Sequence, residues 1–326
     1  MGEAKRRQKA NQGSTDHYVP QFYLQRFALH GGTHVPVITR PHRQVITDEK
    51  AISGIGFEED LHALQTPTGS VSFETIINKR IETPFTNTDT WQKIVDGRAS
   101  ELGASDKLNL YLLIRHLQAR NIASLRFLEE EARRVRDRSP GRSTSPLDRA
   151  FDDYLRSILS PHAAFVRMAS SLRPFLARYD EASIAIVHTN ERLRTSTNPV
   201  LPIPRTMGGF DLYSWFDEAD FVVWLPLGPY VGAMLTVSGR FSNFSSYDAP
   251  PGFARMINQL YIVQFLDPKS HVRYCIADDD WVEDDLAWAY YKRLSGDGNR
   301  PRYEQVREVK PILWSGPRIR SPYGGF

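Results

Sequence analysis

The chain has one cysteine, Cys275, among 326 residues. A disulfide within the chain is therefore impossible, a cysteine-built zinc site is strongly disfavoured, and the usage fits a reducing compartment. Long apolar runs are missing as well. The longest, Phe221 to Val237, is interrupted by Pro226, Gly228, Pro229 and Gly232, so it reads as two strands joined by a tight turn and not as a membrane span. The basic start, Lys5-Arg6-Arg7, is followed by no apolar stretch and does not make a signal peptide. Arg6 stands where a myristoylation signal needs Ser or Thr. No repeat, Gly-rich phosphate loop, G-x-S-x-G elbow, dinucleotide fingerprint or H-E-x-x-H pair is present. These absences lead us to expect a soluble, cytoplasmic protein with no membrane partner.

What is present supports a sizeable core. Hydrophobic residues make up 41% and charged residues 24%, with 14 Tyr, 17 Phe and 6 Trp, close to the globular average and unlike a disordered chain. The net charge of +3 is mild; it permits an acidic partner without arguing for one. A short helix is expected over 16–29, capped near Asp16 with Pro20 in its first turn. Short strands follow over 33–57. Phe73, Ile76, Ile77 and Ile81 lie on one helical face, a second short helix is expected at 88–96, and a long one from 106 to 138. Further helices are expected at 147–159 and 161–177. Strands at 183–187, 221–225, 230–237 and 272–276 then mix with helices at 251–266 and up to about 294. Segregated runs of this kind predict an α+β fold, with a helix-rich middle and a small, mainly antiparallel sheet formed by N-terminal and C-terminal strands. The expected organisation is a flexible basic tail (1–15), one globular α+β domain (16–297) and a Pro/Gly/Arg-rich tail (298–326).

The segment His17-Tyr18-Val19-Pro20-Gln21-Phe22-Tyr23-Leu24-Gln25-Arg26-Phe27 stands out. An imidazole at a helix start stays neutral and can act as a base; the alternative is that His17 and its aromatic neighbours pin the segment to the core. This segment resembles the opening signature of a bacterial family catalogued as domain of unknown function 4238. Leu112 to Asn121 resembles the family's central stretch, which ends in Gln-x-x-Arg. Arg194-Thr195-Ser196-Thr197-Asn198-Pro199-Val200 resembles its Thr-Ser-Asp-Asn-Pro-Val element, and Trp224-Leu225-Pro226-Leu227-Gly228-Pro229 its Phe-Pro-Leu-Ser-Pro strand. Asn258 resembles an Asn in its late helix. The resemblance covers roughly 16–277 and implies no activity. Thr197 stands where the family usually has Asp, which can take a proton or hold a metal as threonine does not.

On the central helix, His116 and Arg120 share a face, as do Arg115 and Gln118. A buried Arg there needs an acidic partner or a bound anion. Five of the nine histidines lie in the first 62 residues without tight ligand spacing, and neither a metal nor another cofactor is expected. The acidic run 278–285 reads as a solvated helix start before a cation site. Glu308-Val309-Lys310 lacks an acidic partner of the nuclease kind. The basic segments at 5–9 and 133–138, with Arg142 and Arg149, can touch phosphate, although Glu129 to Glu131 can pair with the second. The reading is a hydrolase or nuclease-like enzyme on a phosphate-bearing substrate, nucleic acid included. His17, Arg120 and Asn198 are its candidate catalytic residues, and Tyr18, Arg115, Gln118, Ser196 and Asn258 its candidate substrate-binding residues. The rival reading is a non-catalytic binding or interaction protein with the same residues in structural roles. No sequence feature fixes the oligomeric state.

Overall fold

Strand alternation in Ala182–His188 and in Val231–Val237 gives each segment one apolar side per face, and these two strands form the centre of the largest sheet. The computed structural model describes residues 15–40, 45–66, 69–138, 160–204, 221–237, 243–267 and 270–295. The helix expected at 147–159, the basic residues at 5–9 with Arg142 and Arg149, Glu308–Lys310 and the tails at 1–14 and 298–326 lie outside them.

The strands in chain order are β1 (Thr15–His17), β2 (His34–Thr39), β3 (Ile46–Ala51), β4 (Phe57–Glu59), β5 (Ala63–Thr66), β6 (Gly69–Ser72), β7 (Ala182–His188), β8 (Thr195–Ser196), β9 (Leu201–Pro204), β10 (Phe221–Gly228), β11 (Val231–Val237), β12 (Phe244–Asp248) and β13 (Tyr274–Ile276). The helices are α1 (Gln21–Leu24), α2 (Glu74–Ile77 and Thr83–Thr86, joined through Asn78–Glu82), α3 (Asp89–Val95), α4 (Lys107–Ala119), α5 (Ile122–Arg138), α6 (Pro161–Ser170), α7 (Arg173–Leu176), α8 (Phe253–Leu266) and α9 (Val282–Ser295). The largest sheet runs β12-β7-β11-β10-β9, antiparallel except for the parallel pair β12–β7. The second runs β3-β2-β13-β8, all antiparallel, and joins N-terminal to C-terminal strands. This is an α+β architecture with several small antiparallel sheets, as expected.

The large sheet is covered on both faces. Ile184, Ile186, Leu225 and Leu235 belong to one apolar cluster with Leu113, Ile114 and Leu117 of α4. Val187, Leu201 and Trp224 belong to another with Phe253, Ile257, Tyr261 and Phe265 of α8. Gly232 sits opposite Pro226 on the neighbouring strand, under the Trp224 ring. A Cβ at Gly232 would stand 2.2 Å from Trp224 Cη2, and the ring is fully buried with no room to swing. Gly232→Ala is expected to cost about 1–3 kcal/mol in thermal unfolding, with Trp224→Leu in the same chain restoring part of it. An unchanged midpoint for the single variant would disprove the contact.

Three segments differ from the sequence expectation. Residues 15–17 are a strand, because their backbone pairs with Phe57–Glu59 before Pro20 starts α1. Asp16 therefore caps no helix; its carboxylate accepts the His62 backbone N–H at 2.7 Å. The helix expected over 106–138 is two helices. Asn121 breaks it, its side-chain oxygen accepting the Ala123 N–H at 2.9 Å and capping α5. The acidic run 278–285 is only partly solvated, since Asp285 is fully buried. It faces a guanidinium: Arg194 donates to both oxygens of Asp279, at 2.6 Å each, and to Asp285 at 2.8 Å.

Candidate functional site

Asn78–Glu82 is a π-helical turn within α2. Such turns recur at functional sites, where the widened backbone re-aims side chains. In an uninterrupted α-helix positions 74 and 82 would point about 80° apart. Here Glu74 and Glu82 both reach Arg120, the last residue before the α4–α5 break. Glu74 lies 3.4 Å from Arg120 Nη2, and Glu82 forms a close ion pair with Nη1. Arg120 is fully buried and also donates to the His17 carbonyl oxygen and, at 3.3 Å, to His116 Nε2.

His62 completes the cluster from the other side. Its Nδ1 lies 2.8 Å from Glu74 Oε2, its ring stacks on Phe165 with centroids 5.6 Å apart, and Nε2 has no partner among the described residues. One ligand atom from each of Asp16, His62 and Glu74 lies within 4.8 Å of the others. Two ligands of one small cation, at about 2.1 Å from it, stand at most about 4.2 Å apart. Only an opposed pair reaches that span; three ligands of one ion stand about 3.0–3.6 Å apart, so the side chains would have to draw together by up to about 1–2 Å to share one.

The electrostatics favour a cation. Burial lowers the His62 and His116 imidazoles, with Glu74 opposing, and His116 falls to about 4. Both rings are therefore neutral at pH 7. Burial would raise the Glu74 carboxyl, but the His62 hydrogen bond and the Arg120 charge outweigh it and hold Glu74 below its ordinary value. Burial lowers Arg120 to about 10, which leaves it charged. Glu74 and Glu82 thus pair with one guanidinium, and Asp16 stands beside Glu74 and His62. His17 is half-buried at the edge of this cluster; burial lowers its imidazole against the pull of Glu74, and its ring lies against Phe57 and Gln21.

The other sequence candidates divide into four places. Arg115 and Gln118 bond each other at 3.0 Å, with the guanidinium over Tyr111, on another face of α4. Ser196, Thr197 and Asn198 join the cluster only through the chain: Asn121, next to Arg120, donates to the Thr197 carbonyl at 3.0 Å. Ser196 Oγ lies 2.9 Å from Gln264 and accepts the Asn198 N–H at 3.0 Å. The Thr197 hydroxyl accepts the Arg273 and Tyr274 N–H groups at 3.1 and 3.3 Å. A carboxylate at this position would accept the same two groups, so either residue can fasten the turn to β13. Asn258 holds the 192–194 loop, accepting the Arg194 N–H at 2.7 Å and donating to the Arg192 carbonyl at 2.8 Å. Tyr18 is buried beside β4, and burial pushes its phenol up to about 12. Asp16, His62, Glu74 and Glu82 were missed in the sequence. Asp16 stands immediately before the opening signature, but the others are brought to it only by folding.

The fold and the site define an α+β protein with a buried carboxylate–imidazole–guanidinium cluster and, among the described residues, no helix long and apolar enough to cross a membrane. A family model described as "Protein of unknown function (DUF4238)" matches residues 15–264, so the chain belongs to that family. No curated protein and no solved structure matches it.

Proposed function

We propose that the protein is a metal-dependent hydrolase acting on a phosphate-bearing substrate, with a divalent cation held by Asp16, His62 and Glu74. The convergence of those three ligand-type side chains carries the reading. Asp16, Glu74 and His62 through Nδ1 would hold the ion, with the imidazole proton on Nε2, and the ion would supply Lewis-acid polarisation of a phosphoryl oxygen and acidify a bound water. His17, neutral and at the edge of the cluster, takes the proton of the attacking water as its oxygen bonds to phosphorus and the ester oxygen leaves. Arg120 pairs with Glu74 and Glu82 and helps hold the Glu74 carboxyl below its ordinary value, which makes it a positioning residue.

The non-catalytic reading has one observation in its favour: Arg120 is fully buried and already engaged by Glu74, Glu82 and His17. A single experiment separates the two. Purified protein with Mg2+, Mn2+ or Zn2+ is assayed on RNA, DNA and mononucleotides, beside Glu74→Gln and His17→Ala. Hydrolysis that needs the cation and falls at least about 100-fold in Glu74→Gln is the expected result, at the upper end of losses on perturbing a metal's surroundings. Hydrolysis indifferent to chelation and to both substitutions, or none on any substrate, would leave the scaffold reading in place.

A further inference from the structure

A cavity of about 180 Å³ lies beside the cluster, between the π-helical turn of α2 and the outer face of α4. Its apolar walls include Phe22, Phe85, Ile81 and Leu112; His116 lines it at the cluster side, and the exposed Arg80 stands at its rim. An apolar cavity of about 150 Å³ holds one benzene ring. The space here therefore suits one six-membered ring carrying small substituents. Aromatic walls favour a flat π-face, and stacking of a base on an aromatic side chain is sequence-tolerant. Glu82, Thr88, Asn109 and His116 supply the polar part of the lining. His116 is buried; its Nε2 lies 3.3 Å from Arg120 Nη1, which can only donate, and 3.5 Å from Glu82 Oε1, while its Nδ1 has no partner among the described residues, so with Nε2 accepting from Arg120 the proton stands on Nδ1. A buried donor left unpaired is costly, and a ring carbonyl would satisfy it.

We infer that this cavity holds the pyrimidine base of a nucleoside phosphate, with His116 Nδ1–H donating to the base carbonyl and Arg80 meeting the phosphate. The inference rests on the phosphate-bearing substrate proposed above and names its class. A single-ring base fits the volume; a purine must leave part of its second ring outside. Arg80 supplies a forked guanidinium of the kind that recognises phosphate.

The test is calorimetric titration of the full chain with UMP, CMP, AMP, ribose 5-phosphate and inorganic phosphate, with a short oligouridylate to separate a free nucleotide from a strand. UMP and CMP are expected to bind at least about tenfold more tightly than AMP or ribose 5-phosphate, the gain of one stacked, hydrogen-bonded ring. Leu112→Trp fills the cavity and should abolish that preference. Ile81→Phe, a smaller filling change, guards against misfolding, and circular dichroism checks both. His116→Phe should weaken UMP about tenfold and leave inorganic phosphate unaffected. Equal affinity for UMP and ribose 5-phosphate, or UMP binding unchanged in both filling variants, overturns the inference. The outcomes separate from those of the hydrolase proposal. Pyrimidine nucleotides bound but not cleaved with any cation sink the hydrolysis alone. Cation-dependent cleavage that ignores the filling variants sinks the base site alone.

Discussion

Replacing Arg194 with methionine is expected to cost about 3–5 kcal/mol, the range for stranding a buried charge. Arg194 grips Asp279 with a two-pronged fork and Asp285 with its remaining nitrogen. Both the guanidinium and Asp285 are completely shielded from water. Methionine fills much of the same volume, so the loss is electrostatic: a dry carboxylate keeps only the Gln259 amide at 3.0 Å and Arg255 at 3.6 Å. The comparison is internal. Arg192 pairs with Asp278 at 3.2 Å, but both side chains are about a third exposed, and Arg192→Ala should cost no more than about 1 kcal/mol. Urea unfolding measures both, with the midpoint shifting and the slope unchanged. A loss for Arg194→Met as small as that for Arg192→Ala would show that water reaches Asp285.

Arg194 also marks a limit of sequence reading. It lies inside the segment that resembles the family's turn element, beside the polar residues Ser196, Thr197 and Asn198. Nothing local tells that Arg194 will be dry, or that Asp285, in a run of acids at a helix start, will meet it. The pairing joins positions 91 residues apart, and only the packing of α8 and α9 against the β7–β8 loop supplies it. What the sequence does show is periodicity. The face of α4, the hairpin of β10 and β11, and the segregation of helices from strands follow from the spacing of Leu, Ile and Val. The helix break at Arg120-Asn121 was missed because apolar periodicity continues across it, while Asn121 serves as a cap that competes with the helix interior.

The charged cluster was half legible for the same reason. His116 and Arg120, four residues apart on one helix, are expected neighbours. His17 opens the signature segment and Asp16 stands immediately before it. His62 and the two glutamates come from elements with no local link to it. They meet because β1 pairs with β4, which sets His62 beside Asp16, and because the π-helical turn lets α2 present two carboxylates to one guanidinium. His17 enters this arrangement through its backbone carbonyl, while its ring at the edge bonds Gln21 at 3.2 Å and a Ser53 backbone group.

Stability should fall steeply with acid between about pH 6.5 and pH 4, by on the order of 3 kcal/mol, through His116. The sign follows from the direction of the shift. In the unfolded chain the imidazole takes up a proton near pH 6.5. In the folded protein burial lowers it to about 4. Between those values the unfolded state binds one more proton than the folded state, so the stabilising difference is complete above 6.5 and is lost as pH falls towards 4. The slope from this group alone approaches about 1.4 kcal/mol per pH unit. The groups facing His116 are Arg120, which stays charged throughout, and the carboxylates Glu82 and Glu74. Glu74 is held below its ordinary value, so its own contribution is present above the unfolded carboxylate pKa and is lost at the acid end of the range. Urea unfolding of metal-free protein at half-unit steps from pH 4.5 to 8 reads the slope directly. His116→Phe keeps a ring in the wall of the cavity and removes the titrating nitrogens, so it should flatten the profile by close to one proton. Parallel profiles for the two proteins would mean that His116 can protonate in place, and with it that the cluster is wetter than its packing indicates.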